Sequence, residues 1–293
     1  MKFQFMKDHQ DAFKIERMSS VFKVSSSGYY KFIVRQPSTR EQENNRLLDK
    51  ITESYQNSRR TYGSPRIYSE LRAGGETCSR KRVARIMKKS NMAAKMKKRF
   101  KVTTKANPNE IPAPNLLNQN FVAAEPNKRW VADFTYIGTK EGWLYVAAVM
   151  DLFSRRIVGL AMGDRMKDDL VMAALQQAFM HRQPAVGLIH HSDRGSQYSS
   201  KDFKDLLVKY CIVASMSGSG NCYDNAAMES FFHTLKTEHV YFECYESRDQ
   251  AKRSIFEYVE VFYNRKRLHS TLGYMSPMVF ENQKQKEIRG FYS

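Results

Sequence analysis

Three carboxylates lie in segments dense with polar and aromatic neighbours. They are Asp133 in Trp130-Val131-Ala132-Asp133-Phe134-Thr135-Tyr136, Asp193 in His191-Ser192-Asp193-Arg194-Gly195-Ser196-Gln197-Tyr198, and Glu229 in Asp224-Asn225-Ala226-Ala227-Met228-Glu229-Ser230. Hard divalent cations working on phosphates take oxygen ligands, and two such ions about 3.5–4 Å apart need carboxylates converging from different elements. Oxygen donors select Mg²⁺, with Mn²⁺ as a substitute, over metals that prefer thiolate or imidazole. Lys236, seven residues past Glu229, falls on the same helical face and adds a cation there.

The elements that must position these residues read as mixed α/β. β-rich runs at Trp130 to Ile137, Trp143 to Asp151 and Arg156 to Met162 are separated by Gly138-Thr139-Lys140-Glu141-Gly142 and Leu152-Phe153-Ser154-Arg155, which suits three strands joined by tight turns. Val171, Leu175, Ala178 and Phe179 mark an amphipathic helix. A fourth strand over Gly187 to His191, a helix over Asp202 to Tyr210, a fifth strand over Cys211 to Ser215 and a helix over Ala226 to Thr237 follow, with closing helices over Ser247 to Tyr263 and Ser276 to Lys286. The order βββ-α-β-α-β-α, with acids at the end of the first strand, just after the fourth and on the helix after the fifth, is the layout of a ribonuclease-H-like fold. Asp133 and Asp193 then become neighbours on parallel strands, and Glu229 closes the site from the flanking helix.

Other polar residues have plainer readings. Asp151 ends a strand and reads as a turn or salt-bridge residue; Asp224 reads as the cap of the Glu229 helix, with Asn225 beside it in the turn. His190 and His191 leave a strand on opposite faces, so at most one meets the site, and packing or a loop hydrogen bond is expected of both.

Ahead of this region the chain is helical and basic. Residues 1–40 read as a short helical segment, with a break at Pro37-Ser38. Over 41–101 three helices are predicted. The first carries Leu47, Leu48, Ile51 and Tyr55; the second begins at Pro65 and stops at Gly74-Gly75; the third is capped by Ser79, with Val83, Ile86 and Met87 on its apolar stripe. Its other face bears Arg80, Lys81, Arg82, Arg85, Lys88 and Lys89, as in a helix-turn-helix DNA reader, although a helical subdomain with a solvated basic face has the same pattern. Residues 102–125, with Pro108, Pro112 and Pro114, read as a linker, and 126–290 as the α/β core with its C-terminal helices.

The charge agrees with a polyanionic partner. The 293-residue chain has 48 Lys and Arg against 30 Asp and Glu, a net charge of +18. Between Ser58 and Lys105 eight lysines and eight arginines face two glutamates, a surplus of fourteen. Phosphate contacts release counterions and give sequence-independent affinity, so double-stranded DNA is the expected partner. No apolar run approaches the roughly 18 residues of a spanning helix, so a membrane is not. Four cysteines without C-x-x-C spacing indicate neither a disulfide framework nor structural zinc, and a start without an apolar signal core fits a cytoplasmic protein.

Five ordered blocks carry a resemblance. They are Trp130-x-x-Asp133-x-Thr135-Tyr136; His191-Ser192-Asp193-x-Gly195-x-x-Tyr198; the thirty-five residues between Asp193 and Glu229; Asp224-Asn225-Ala226-x-x-Glu229-Ser230-Phe231-Phe232; and Tyr263-Asn264-x-x-Arg267-x-His269-Ser270-x-Leu272-Gly273-Tyr274-x-Ser276-Pro277. In these the chain resembles second-frame transposases of the bacterial insertion-sequence-three family, whose core is similar to retroviral integrases. The resemblance implies an integrase-like core with a mixed five-stranded sheet and flanking helices, preceded by a small all-α DNA-binding domain. It implies strand cleavage exposing a 3′-hydroxyl, then in-line attack of that hydroxyl on another phosphodiester. Asp133 and Asp193 are then ligands of two Mg²⁺ ions, Glu229 completes the set and Lys236 steers a phosphate. Arg265 and Arg267 hold DNA backbone or form a solvated face.

The implied partners are the element's inverted-repeat ends and target DNA, a homo-oligomer assembled on DNA, and a first-frame (OrfA) protein. No Leu heptad run precedes residue 41, so the second-frame product alone is expected. The competing readings are an inactive DNA-binding regulator derived from such an enzyme and a ribonuclease-H-type nuclease that cuts without joining.

Overall fold

The computed structural model describes residues 1–95, 113–218 and 222–290. The amino-terminal segment holds three helices where the sequence reading gave one short piece: α1 (Lys2–Asp8), α2 (Ile15–Phe22) and α3 (Ser26–Val34). Met6, Met18 and Tyr29, from one helix each, bury together and set the three against one another. The helices are only seven to nine residues long, so each offers barely two turns of pattern from which a break could be read.

The next three helices match the expectation closely. A capping box between Ser38 and Glu41 starts α4 (Thr39–Asn57), two residues before the predicted start. Pro65 sits in the first turn of α5 (Ser64–Ala73), and the Ser79 hydroxyl accepts from Arg82 N at the start of α6 (Arg80–Lys89). Glu76, in the turn between α5 and α6, accepts from Arg46 and Lys50 of α4, which hold its pKa down to about 2.

The catalytic-core region follows from β1 (Arg129–Thr139), β2 (Gly142–Asp151) and β3 (Arg156–Gly163), an antiparallel meander. After α7 (Asp168–Arg182) come β4 (Ile189–Ser192), the short α8 (Ser196–Ser199), α9 (Lys201–Lys209) and β5 (Val213–Met216). The sheet order is β3-β2-β1-β4-β5, with β4 parallel to both β1 and β5. Then come α10 (Ala226–Glu238) and α11 (Arg248–Glu257), the latter running into a π-helical turn over Tyr258–Tyr263, and α12 (Pro277–Gly290).

Alternation along the strands makes two apolar layers. Trp130, Ala132, Ala147 and Val149 face α7 and α9, while Val131, Ile137, Val146, Ala148 and Met150 face α10 and the π-helical turn. Gly159 lets α7 lie on β3, because a Cβ there would come within 2.1 Å of the Ala174 carbonyl oxygen. The second layer also takes in Leu47, Ile51, Tyr62, Ile67, Val83 and Met87, so the basic helical module shares a core with the α/β body. Polar contacts cross the same junction: Tyr62 Oη donates to Lys266 O and accepts from Leu268 N, and Arg59 pairs with Glu257.

Of the Pro-rich segment, residues 102–112 lie outside the described residues. The remainder lies on the body: Pro114 O accepts from Met216 N, Leu116 N donates to Ser215 Oγ, and Leu117 is buried. Asp151 is fully buried and accepts from Asn127 N, Phe153 N and Arg182, the turn and ion-pair role expected of it.

Candidate active site

Asp133 lies in the middle of β1 and not at its end, because the strand runs on to Thr139. The parallel ladder of β1 with β4 pairs Arg129 with Ile189, Trp130 with His190 and Val131 with His191. Two residues further in the same register come Asp133 and Asp193, and a step of two returns both side chains to one face. It is the face that carries Val131 and Ile137, against α10.

Each of the two carboxylates uses one oxygen locally. Asp133 Oδ1 accepts from Phe134 N at 2.8 Å, and Asp193 Oδ1 accepts from Gly195 N at 2.9 Å. A Cβ at Gly195 would stand 3.0 Å from Asp193 Oδ1 and 3.1 Å from Gln197 Oε1, so a side chain there would press on the carboxylate that the Gly195 N–H holds. Burial raises the pKa of both acids, and the charges of Asp193 and Glu229 raise that of Asp133 further.

Glu229 is exposed in the first turn of α10, its pKa raised by partial burial. Lys236 lies two turns on, half-buried, with Nζ 5.3 Å from the centre of the Tyr136 ring. Burial lowers its pKa, and the negative charge of Asp133 works against that shift. Asn225 ties the start of this helix to β1 by donating from Nδ2 to Ala132 O, one residue from Asp133.

The donor set suits a hard cation. Two half-buried carboxylates, each with one oxygen free of hydrogen bonds among the described residues, face no arginine there. The buried Tyr198 Oη, close enough for both carboxylates to act on it, and the buried Asn225 Oδ1 also have no partner. Among the described residues no three carboxylates, imidazoles or thiols are close enough together to hold an ion, so Glu229 stands at the edge of an aspartate pair.

Neither histidine of β4 joins the acids. His190 packs between Tyr198 and Phe203, where burial pushes its pKa down to about 3; His191 contacts the hydroxyls of Ser215 and Ser217. Asp224 is not the helix cap. Its carboxylate accepts from Asn115, Gln119 and Gly218 N, which fastens the segment before β1 to the loop after β5, and Asn225 holds the cap position without a side-chain cap bond. Asn225, Gly195 and Tyr198 were missed as site residues. Their signal was their place inside the acid-bearing blocks.

On α6, Arg80, Lys81, Arg85, Lys88 and Lys89 are exposed, while Arg82 is half-buried and donates to Asn44 Oδ1. Arg265 is exposed as well. Arg267 does not fit the expected role at DNA: it is 5% exposed, and its guanidinium donates to both oxygens of Glu238 at 2.7 and 2.8 Å. Asn264 in the same block closes the bulged end of β3, exchanging hydrogen bonds with Ile157 N and O. This block is therefore largely a brace. Among the described residues no helix is long and apolar enough to cross a membrane.

Comparison with known proteins places the chain. Residues 123–222 and 229–284 match two models of the integrase core domain, and residues 42–100 match an HTH-like domain. A 31 kDa protein of insertion element IS600 from Shigella sonnei is 46% identical over 91% of this chain and 98% of its own length. Transposase InsF of insertion sequence IS3A from Escherichia coli is 40% identical over 97% of this chain and 99% of its own. Solved structures with a similar fold include the integrase catalytic core of HTLV-2 in complex with magnesium, with 17% identity, a TM-score of 0.39 and coverage of 50% of this chain and 92% of that one. Another is a chain of the simian T-cell lymphotropic virus intasome with the PP2A regulatory subunit B56 gamma, with 13% identity, a TM-score of 0.47 and coverage of 79% and 74%. With two integrase-core models matched along the α/β body, a helix-turn-helix-like module ahead of it and relatives matched nearly end to end, this chain belongs to the IS3 family of DNA transposases.

Proposed function

We propose that Asp133, Asp193 and Glu229 are the catalytic acids of this transposase, with Lys236 as the cation that positions a phosphate. The observation that carries this reading is the in-register pair of half-buried aspartates facing the helix that bears the other two. Asp133 and Asp193 would hold two Mg²⁺ ions, for which Mn²⁺ can substitute, with Glu229 completing the set. When bound, such ions neutralise charge on the attacking and leaving oxygens of an in-line displacement.

The chain's own residues supply placement. Asn225 fixes the start of α10 to β1, which keeps the first turn that carries Glu229 on the side of the sheet that carries Asp133. Gly195 orients the Asp193 carboxylate through its N–H. Lys236, steadied over Tyr136, offers its ammonium to a non-bridging oxygen of the phosphate under attack. The reaction attacks a phosphodiester with water, freeing a 3′-hydroxyl, and then attacks a second phosphodiester with that hydroxyl; each step forms one P–O bond and breaks one. No protein nucleophile is involved.

The exposed basic face of α6, with Arg265, engages duplex backbone, while Arg82 braces it through Asn44. The duplexes are the element's inverted-repeat ends and the target. Bridging two ends calls for a homo-oligomer on DNA, and a first-frame (OrfA) protein is the further partner, in the bacterial cytoplasm where the DNA lies.

The test is a joining assay with end-labelled element-end duplex and Mg²⁺. Joined product from the wild type and none from Asp193→Asn is expected. Equal joining by that variant sinks the assignment, and cleavage without joining by the wild type would point to a nuclease.

A further inference from the structure

The flank of α10 away from the acids borders a cleft of about 450 Å³, to which the helix contributes Ser230 and Thr234. Three arginines from distant parts of the chain line it: Arg66 of α5, Arg155 of the β2–β3 turn and Arg267 after the π-helical turn. Ser230 and Ser270, both exposed, lie at its mouth. The cleft thus straddles the junction between the basic module and the α/β body.

Its charges do not balance. Glu238 pairs with Arg267 at 2.7 Å and with Arg66 at 3.5 Å, leaving one carboxylate for two guanidinium groups. Arg155 forms no ion pair among the described residues, and the one hydrogen bond of its guanidinium there is a 3.5 Å contact to Phe121 O. Burial pushes its pKa down, a sign of a cation paid for in lost hydration. The three positive charges converge on the place occupied by His269: burial first, then Arg267, Arg66 and Arg155, push the pKa of that imidazole down to about 2.

The backbone adds an independent observation. Arg155 has φ of 61°, in the left-handed region where glycine or asparagine is the usual occupant of a turn. The turn alone gives no reason for arginine. A half-buried guanidinium with no ion pair among the described residues, lining a cleft with hydroxyls, is instead the arrangement of an anion receptor, since its planar fork matches two oxygens of a phosphate.

We propose that this cleft is a phosphate-binding site that grips one phosphodiester of a DNA strand, with Arg155 as its anchor and the hydroxyls of Ser230, Thr234 and Thr271 as neutral donors. Because α10 carries Glu229 on one side and borders this cleft on another, a strand held here is fixed relative to the acids by a single rigid element. That the strand is DNA rests on the function proposed above; that the ligand is a phosphate does not.

The experiment uses the full chain and Arg155→Gly, which removes the guanidinium while suiting the positive φ; Arg155→Gln serves if the glycine variant does not fold. The first arm measures the melting temperature in inorganic phosphate against chloride at equal ionic strength. A phosphate-specific rise in the wild type that is diminished in the variant is expected, and an equal rise in both overturns the site. The second arm measures binding to a short duplex of arbitrary sequence across salt concentrations. The slope of log K against log salt should fall by about 1 in the variant, the signature of one lost phosphate contact. A lost phosphate effect with an unchanged slope overturns the DNA strand as the source and leaves a small phosphate ligand. Failure of the wild type to join element ends would remove the catalytic reading while leaving both arms informative.

Discussion

Asp133 on β1 and Asp193 just past the end of the parallel β4 each stand two residues beyond the Val131–His191 pair, with one oxygen apiece free of hydrogen bonds among the described residues and no arginine paired to them there. Burial and mutual repulsion make this pair costly to ionise. The site is thus built at the expense of the fold.

Removing one acid should therefore stabilise the protein while abolishing its chemistry. The unfolded chain releases these protons near the ordinary value of 3.8, and the folded chain only at higher pH. Between those values the folded state binds more protons, so the stabilising contribution is full below 3.8 and is lost as pH rises through the raised values. Asp193→Asn is expected to melt higher than the wild type at neutral pH without divalent cations, with the difference shrinking as pH falls toward that value. Joining should drop by at least ~10²-fold, the scale of losing one preorganised charged group. Calorimetry over a pH series, beside the joining assay, checks both.

Divalent cation should act in the opposite sense. A cation that binds the folded aspartate pair and not the unfolded chain stabilises by mass action, about 2.7 kcal/mol at a hundredfold excess over Kd. Melting of the wild type should rise with Mg²⁺ or Mn²⁺ at neutral pH and progressively less as pH falls toward the ordinary 3.8, because the raised pKa values favour the protonated pair there. Asp193→Asn should show little response at either pH. A rise of equal size in that variant would place the ion elsewhere.

Arg267 should behave as a brace and not as a DNA contact. Truncation to Ala leaves Glu238 buried with only the longer pairing to Arg66, and breaking a buried pair from one side typically costs about 3–5 kcal/mol. Denaturant unfolding should show a loss of that order. Arg267 holds the pKa of Glu238 low, so the pair's contribution is present above the ordinary 4.5 and fades as pH falls through the lowered value. The salt slope of DNA binding by the folded variant should fall by less than in Arg155→Gly, because the Arg267 charge is already matched by Glu238.

The basic face of α6 should show the reverse pattern. Lys88→Ala and Arg85→Ala remove exposed side chains that leave the Val83–Met87 stripe intact. Each should reduce the salt slope on duplex DNA by about 1 while shifting stability by less than about 0.5 kcal/mol. An unchanged slope in both would assign duplex binding to another surface.

Much of this molecule was decided by sequence alone, because local patterns carry it. β-rich runs over Trp130 to Ile137 and Trp143 to Asp151 between turn residues set the strands, Pro65 and Ser79 start helices, and the acid-bearing blocks mark the ribonuclease-H-like order of elements. Tertiary structure decided what distant residues mean to one another. A run such as Arg265-Lys266-Arg267 has the same composition whether solvated or buried; only the fold brings Glu238 against Arg267 and leaves Arg265 outside. Asp224 reads as a cap until Asn115, Gln119 and Gly218 arrive at its carboxylate. The register that sets Asp133 beside Asp193 depends on a parallel crossover, and Arg155 gains its meaning only from a cleft walled by α5, α10 and the segment after the π-helical turn. Periodicity fixes which face a residue takes, but charge pairing is a property of who stands opposite, and that is settled only when the layers close.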